Sequence, residues 1–218
     1  MLKSIISEYS DEYEPPRDYK KVLGVRADTC QNVYLTLEEI ERFSKYEPKS
    51  RAEWIIKNQF LIGCLTGARH SDYINFTRQN LQDDCLQYVS VKTHIKASIP
   101  ISPAIIRLID ENEKNGFVGI AFADVYFRNV VKRICRSIGL DESISIYYHG
   151  KQRTGKKWEF IASHTARRSF ATNLYKLGVD IYTISRLCGH TSVEMTKTYI
   201  CCMPNISETA LTYFNNFK

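Results

Sequence analysis

Nowhere in its 218 residues does this chain hold an apolar run approaching membrane-spanning length, for which about 20 residues are needed, so no membrane helix is expected. The opening Met1-Leu2-Lys3-Ser4-Ile5-Ile6-Ser7-Glu8 turns acidic too soon for a signal peptide. No Cys-x-x-Cys pair occurs, and the cysteines are odd in number: Cys30, Cys64, Cys85, Cys135, Cys188, Cys201 and Cys202. That pattern indicates neither a disulfide framework nor a zinc module, and reduced thiols in a cytoplasmic protein are the expectation. A zinc site from Cys188, His190, Cys201 and Cys202 would need adjacent cysteines and an i, i+2 pair to close a tetrahedron, which they do poorly. A P-loop is excluded as well. Gly150-Lys151-Gln152-Arg153-Thr154-Gly155-Lys156 comes close, but Lys157 stands where a Ser or Thr would ligate magnesium. We therefore expect no metal and no cofactor.

What is present suits one well-buried core, since 44% of the residues are hydrophobic. The net charge of +6 is unevenly spread. Residues 1–50 carry eight Lys/Arg against ten Asp/Glu, and residues 51–218 carry 22 against 14. The densest basic stretch, 128–168, sets Arg128, Lys132, Arg133, Arg136, Lys151, Arg153, Lys156, Lys157, Arg167 and Arg168 against Asp141, Glu142 and Glu159. Such asymmetry favours a polyanionic partner.

The first thirty or so residues are polar, include Pro15-Pro16 and lack periodicity, which reads as a linker or arm over 1–33 ahead of a packed domain over 34–218. Thr36 and Glu39 form a capping box before Leu37, Ile40 and Phe43. Apolar periodicity from Trp54 to Leu65 predicts a buried helix ending at Gly67. From Leu81 to Ile101 the pattern alternates, as in a small antiparallel sheet turning near Thr93-His94-Ile95. Helices are expected at about 103–114 and 123–138, then an irregular or hairpin-like basic stretch over 141–160. Ser163 is expected to cap a helix carrying His164 and Arg167 on one face, Asp180 to cap another, and Val193 to Ile200 to form a short helix bearing Tyr199. An amphipathic segment after Pro204 closes the chain. The fold class that emerges is mainly α with a small antiparallel β-sheet.

Three blocks carry chemistry. Thr66-Gly67-Ala68-Arg69-His70-Ser71-Asp72 places an arginine just beyond a helix end. His164-Thr165-Ala166-Arg167 sets a histidine and an arginine one turn apart. Gly189-His190 precedes Tyr199 by nine residues from the histidine. Two guanidiniums can grip a phosphodiester bidentately, histidines can move protons near neutral pH, and a phenol can attack phosphorus to form a covalent intermediate. The set reads as DNA strand cleavage. Tyr199 is one of fourteen tyrosines, singled out only by its offset from His190. Tyr175, Tyr182 and Tyr213 read as packing residues.

In order and spacing these blocks, extended by Arg168-Ser169-Phe170-Ala171-Thr172 and Leu187-Cys188, resemble the catalytic domain of the tyrosine recombinases, or phage integrases. The likeness runs from about Leu35 past Tyr199; Ala166 stands where the family usually has Leu. The resemblance implies a tyrosine recombinase catalytic-domain fold and site-specific recombination through a 3′-phosphotyrosyl intermediate, as in integration or excision of a mobile element. It implies Arg69, Lys92, His164, Arg167, His190 and Tyr199 as catalytic residues, with Asp72 as the acidic partner that buttresses the arginine. In the expected hairpin, Lys92-Thr93 matches the family's pattern for its general acid, and Lys96 is the alternative. His190 would donate a hydrogen bond to a phosphate oxygen. Lys96, Lys151, Arg153, Lys156, Lys157 and Arg168 are candidates for DNA contact. The implied partner is double-stranded DNA in a tetrameric synapse joined through the C-terminal segment, with a monomer in isolation and a nucleoid-associated location. The family's N-terminal DNA-binding domain has no room here, so an isolated catalytic domain is expected. Two rival readings are a type IB topoisomerase and a non-catalytic DNA-binding accessory protein.

Overall fold

The computed structural model describes residues 33–148 and 151–201. Helices α1 (Leu37–Ser44), α2 (Arg51–Thr66) and the single turn α3 (His70–Tyr73) lead into a three-stranded antiparallel sheet of β1 (Leu81–Gln82), β2 (Cys85–Val89) and β3 (Lys96–Pro100). Helices α4 (Pro103–Lys114) and α5 (Asp124–Ser137) follow, then a hairpin of β4 (Ser143–Tyr148) and β5 (Lys151–Lys156), then α6 (Thr165–Lys176), α7 (Ile181–Leu187) and α8 (Val193–Lys197). No helix among these residues is long and apolar enough to cross a membrane.

Helix α2 organises the core because it is buried nearly all round, as a helix without a polar face must be. Its Ile56, Phe60 and Leu61 join Leu35, Phe43, Phe127, Val131 and Ile134 in one apolar cluster. Its Ile62 joins Tyr73, Leu86, Ile99, Ile109, Ala171 and Ile184 in a second. Ser50 caps the start of α2, accepting from the Glu53 amide at 3.2 Å, and Gly67 ends it with φ +63°, a left-handed conformation that glycine adopts without penalty. A β-carbon at Gly67 would also lie 2.3 Å from Phe170 of α6. Both facts demand glycine there, and both bring the end of α2 against α6.

The capping box of Thr36 and Glu39 forms. Strands β2 and β3 pair Leu86 with Ile99 and Tyr88 with Ala97, all four buried, which is the inward half of the expected alternation. Pro100 is the last residue of β3. The basic 141–160 stretch is a regular hairpin followed by a 3₁₀ turn, Lys157–Phe160.

Three local expectations need correction. Ser163 does not cap α6: its hydroxyl donates to Asp124 (3.1 Å), while Thr165 accepts from the Ala162 amide (2.9 Å) and the helix begins one residue after His164. Helix α8 stops at Lys197, so Tyr199 lies past its end, in a turn closed by its amide on the Thr196 carbonyl (2.9 Å). Tyr182 is 70% exposed, because the cap at Asp180 turns the first residues of α7 outward, whereas Tyr175 packs on the second cluster. Tyr213 and the segment after Pro204 lie outside the described residues.

Candidate active site

Arg69, His164 and Arg167 line one small, open pocket together with Ala68, His70 and Ser163. The close contact of α2 with α6 produces this convergence. Arg69 follows the Gly67 turn, and Arg167 rises from the first turn of α6 directly against it. Arg167 is 1% exposed, and burying a guanidinium is costly unless its donors are used. Its Nη1 donates to the Gly67 carbonyl at 2.6 Å and its Nε to His190 Nε2 at 3.2 Å. Nη2 is buried with no hydrogen-bond partner among the described residues.

His190 is buried and held at both nitrogens, with Nδ1 2.8 Å from Thr196 Oγ1. Burial, then the charges of Arg167 and Arg69, push its pKa down to about 3. It is neutral at physiological pH. In this arrangement its Nε2 accepts from Arg167 Nε, so the ring helps to hold the arginine. Both nitrogens are thus engaged, and among the described residues no group of three or more His, Cys, Asp or Glu side chains is placed to hold a metal ion.

Tyr199 is half-buried against these groups. Its ring stacks on His190 with centroids 5.0 Å apart and planes at 29°, and the Arg167 guanidinium lies over it at 5.3 Å. The His164 ring is 6.3 Å away. Loss of water around His164, followed by the charges of Arg168 and Arg167, lowers its pKa, and Lys92 adds a smaller push in the same direction. A neutral imidazole beside a phenol is a competent proton acceptor.

Arg69 Nη1 donates to Ser90 Oγ (2.9 Å) and Thr93 Oγ1 (3.4 Å) in the β2–β3 turn. Asp72 accepts from the Ser90 hydroxyl and the Val91 amide, both at 2.9 Å. Asp72 therefore reaches Arg69 through Ser90, and by the same bonds it fixes the turn that carries Lys92. Lys92 is exposed in that turn, which His94 closes with φ +54°. Lys96 is exposed on β3 opposite Val89.

The candidate DNA contacts divide. Lys151, Arg153 and Lys156 are exposed along β5, and Arg168 is half-buried near His164. Lys157 is not available. It is 8% exposed, and its Nζ donates to both carboxylate oxygens of Glu39 at 2.7 and 2.9 Å. The alternating hairpin ends at Lys156, and the 3₁₀ turn that follows points Lys157 inward.

Sequence reasoning assigned no role to His70, Ser90 or Thr196. His70 lines the pocket and packs on Phe127 at 4.5 Å, and burial lowers its pKa. It stands inside the first block, so its position was a usable signal. Ser90 and Thr196 carried none, because their contacts are made only by the tertiary fold.

Comparison with known proteins agrees with this geometry. The phage integrase family model matches residues 33–203. The integrase of Escherichia phage P2 is 28% identical over 153 residues, 68% of this chain and 39% of its own length. The tyrosine recombinase XerC of Caldanaerobacter subterraneus subsp. tengcongensis is 29% identical over 203 residues, 90% of this chain and 52% of its own. The chain thus spans about half the length of such relatives, or less. Among solved structures, the Tn1549 transposon integrase in complex with a circular intermediate DNA superposes with a TM-score of 0.64 at 16% identity, covering 97% of this chain and 75% of that one. At that identity the likeness speaks for the fold, and the family match covers all three blocks with the pocket they build: this chain belongs to the phage integrase family of tyrosine recombinases.

Proposed function

We propose that this domain cuts and rejoins DNA strands, and that the protein uses this reaction for site-specific recombination of a mobile element. The Tyr199 oxygen attacks the scissile phosphorus as its proton passes to His164. A bond forms between that oxygen and phosphorus, the bond to the 5′ oxygen breaks, and Lys92 supplies the proton the departing oxygen needs. The products are a 3′-phosphotyrosyl link and a free 5′-hydroxyl. Attack by a hydroxyl from a partner strand reverses the step and restores the tyrosine. The phosphodiester energy stays in the link, so the reaction needs no nucleotide.

Arg69 and Arg167 would bind the non-bridging oxygens, where charge grows in the transition state. The observation that carries this reading is the single pocket shared by Arg69, His164 and Arg167, with the Tyr199 ring lying on the Arg167 guanidinium. Lys96, Lys151, Arg153, Lys156 and Arg168 would contact the DNA backbone. Two duplexes present four strands, each cut by one tyrosine, so a tetrameric synapse follows from stoichiometry; the C-terminal segment proposed to join it lies outside the described residues.

The test is incubation with nicked suicide duplexes carrying candidate sites, scored for a covalent adduct in denaturing gels. Tyr199→Phe should abolish the adduct while leaving DNA affinity within a few-fold. An adduct of undiminished yield, or one mapped to another tyrosine, overturns the assignment. Supercoil relaxation without strand exchange would move the protein to the topoisomerase reading.

A further inference from the structure

Hydroxyls buried inside helices commonly turn back on the carbonyl four residues earlier. Thr66 of α2 does so, donating to the Ile62 carbonyl at 2.7 Å, and so does Ser169 of α6, donating to the Thr165 carbonyl at 2.7 Å. Thr172 of α6 is also fully buried but behaves differently. Its hydroxyl donates to the Tyr199 carbonyl at 3.3 Å and accepts from the Cys201 amide at 3.1 Å. One side chain thus uses its donor and an acceptor site to hold the backbone on both sides of Ile200. Helix α8 has already ended at Lys197, so no helical ladder supplies these bonds, and irregular backbone keeps its place only where its polar groups find partners.

We infer that Thr172 is a positioning residue for strand cleavage: it docks the turn that carries the nucleophile onto α6, the helix that holds Arg167 and begins just after His164. This deepens the proposed strand-cleavage reading and rests on it. The consequence for the chemistry is specific. Arg167 and Thr172 share one helix, so a bond from Thr172 to the tyrosine's own carbonyl sets the separation of nucleophile and phosphate site at the backbone. The Tyr199 ring already lies 5.3 Å from the Arg167 guanidinium. With its main chain held, the phenol has its side-chain torsions to search rather than those of the whole turn, and orientation of that kind is a large part of what an active site supplies.

The experiment compares unmutated protein, Thr172→Val and Thr172→Ser by hydrogen exchange at the Cys201 amide, by DNA affinity, and by single-turnover cleavage of suicide duplexes with oxygen or sulfur at the bridging 5′ position. Thr172→Val keeps the branched shape but offers neither donor nor acceptor. It should speed Cys201 exchange about fivefold or more, the scale of one lost hydrogen bond. Cleavage at saturating DNA should slow by about 10- to 100-fold, the loss expected when a reacting group sits about 1 Å out of place. Affinity should stay within about twofold, because the loss falls on the chemical step. The sulfur substrate should give no selective rescue, since protonation of the leaving group is untouched. Thr172→Ser keeps the hydroxyl and should return exchange and cleavage to within about threefold of the unmutated protein. A Cys201 amide that exchanges freely in unmutated protein overturns the inference without recourse to any variant. So does a valine variant that cleaves at the normal rate, loses affinity as much as cleavage or is rescued by sulfur, and so does a serine variant as slow as valine. Should valine prevent folding, the unmutated exchange and the serine variant still decide. Absence of any adduct from unmutated protein whose Cys201 amide is protected would remove the strand-cleavage reading, and the positioning role with it, while leaving the Thr172 bonds in place.

Discussion

Replacing Lys157 by methionine separates a structural lysine from a DNA-binding one. The Lys157 and Glu39 side chains are 10% and 9% exposed, and the ammonium donates to both carboxylate oxygens. Methionine keeps most of the stem's packing but strands a buried carboxylate, which typically costs about 3–5 kcal/mol. Glu39 retains the Thr36 amide as a donor at 2.8 Å, so the lower end, about 3 kcal/mol, is expected. At about 2–4 °C per kcal/mol for a domain of this size, Tm should fall by roughly 6–12 °C. Adding Glu39→Gln removes the orphaned charge while preserving the reach of the capping box, and should recover about half of the loss, since desolvation of the lone carboxylate dominates it. Thermal unfolding followed by circular dichroism reads the stability, and DNA binding titrated against salt reads the phosphate contact. Lys157→Met should leave the salt slope unchanged, whereas Lys156→Met should make it shallower by about one, the effect of losing one phosphate contact. An unchanged Tm together with a shallower slope for Lys157→Met would refute the buried-pair argument.

The pocket residues support further tests. Arg69→Ala should lower cleavage by about 100-fold or more with a smaller loss of binding, as expected for a contact that strengthens while charge develops; Arg167→Lys should be comparably impaired, because one ammonium cannot serve Gly67, His190 and a phosphate in the planar geometry that arginine provides. Equal losses in binding and cleavage would count against transition-state stabilisation. The acid limb of the single-turnover rate should lie below pH 6.5: the folded pKa of His164 is lowered, so the neutral base persists at neutral pH and is lost only as pH falls through that lowered value. A rate already falling between pH 8 and 7 would remove His164 as the base. Lys92→Ala should cripple cleavage of an ordinary phosphodiester yet be largely rescued when the bridging 5′ oxygen is sulfur, which leaves without protonation; Lys96→Ala should show no selective rescue, and the reverse pattern would transfer the acid role to Lys96.

The sequence by itself determined most of the elements and the candidate reactive groups. Gly67 marked the end of α2 because a left-handed residue stops a helix there, the alternation of Leu86, Tyr88, Ala97 and Ile99 specified an inward sheet face, and the order of the three blocks singled out Arg69, His164, Arg167, His190 and Tyr199. These are local or periodic properties, written within a few residues of one another. What only the tertiary structure decided are the partners. The identity of a partner depends on which elements touch, and α2 meets α6 through Gly67 and Phe170, far apart in the chain. From that contact follows the bond of Arg167 to the Gly67 carbonyl, and from the packing of the β2–β3 turn on α3 follows the route from Asp72 to Arg69 by way of Ser90. Lys157 shows the limit most plainly: in sequence it ends a run of exposed cations, and only the turn after β5, together with a glutamate 118 residues away, places its charge inside the protein.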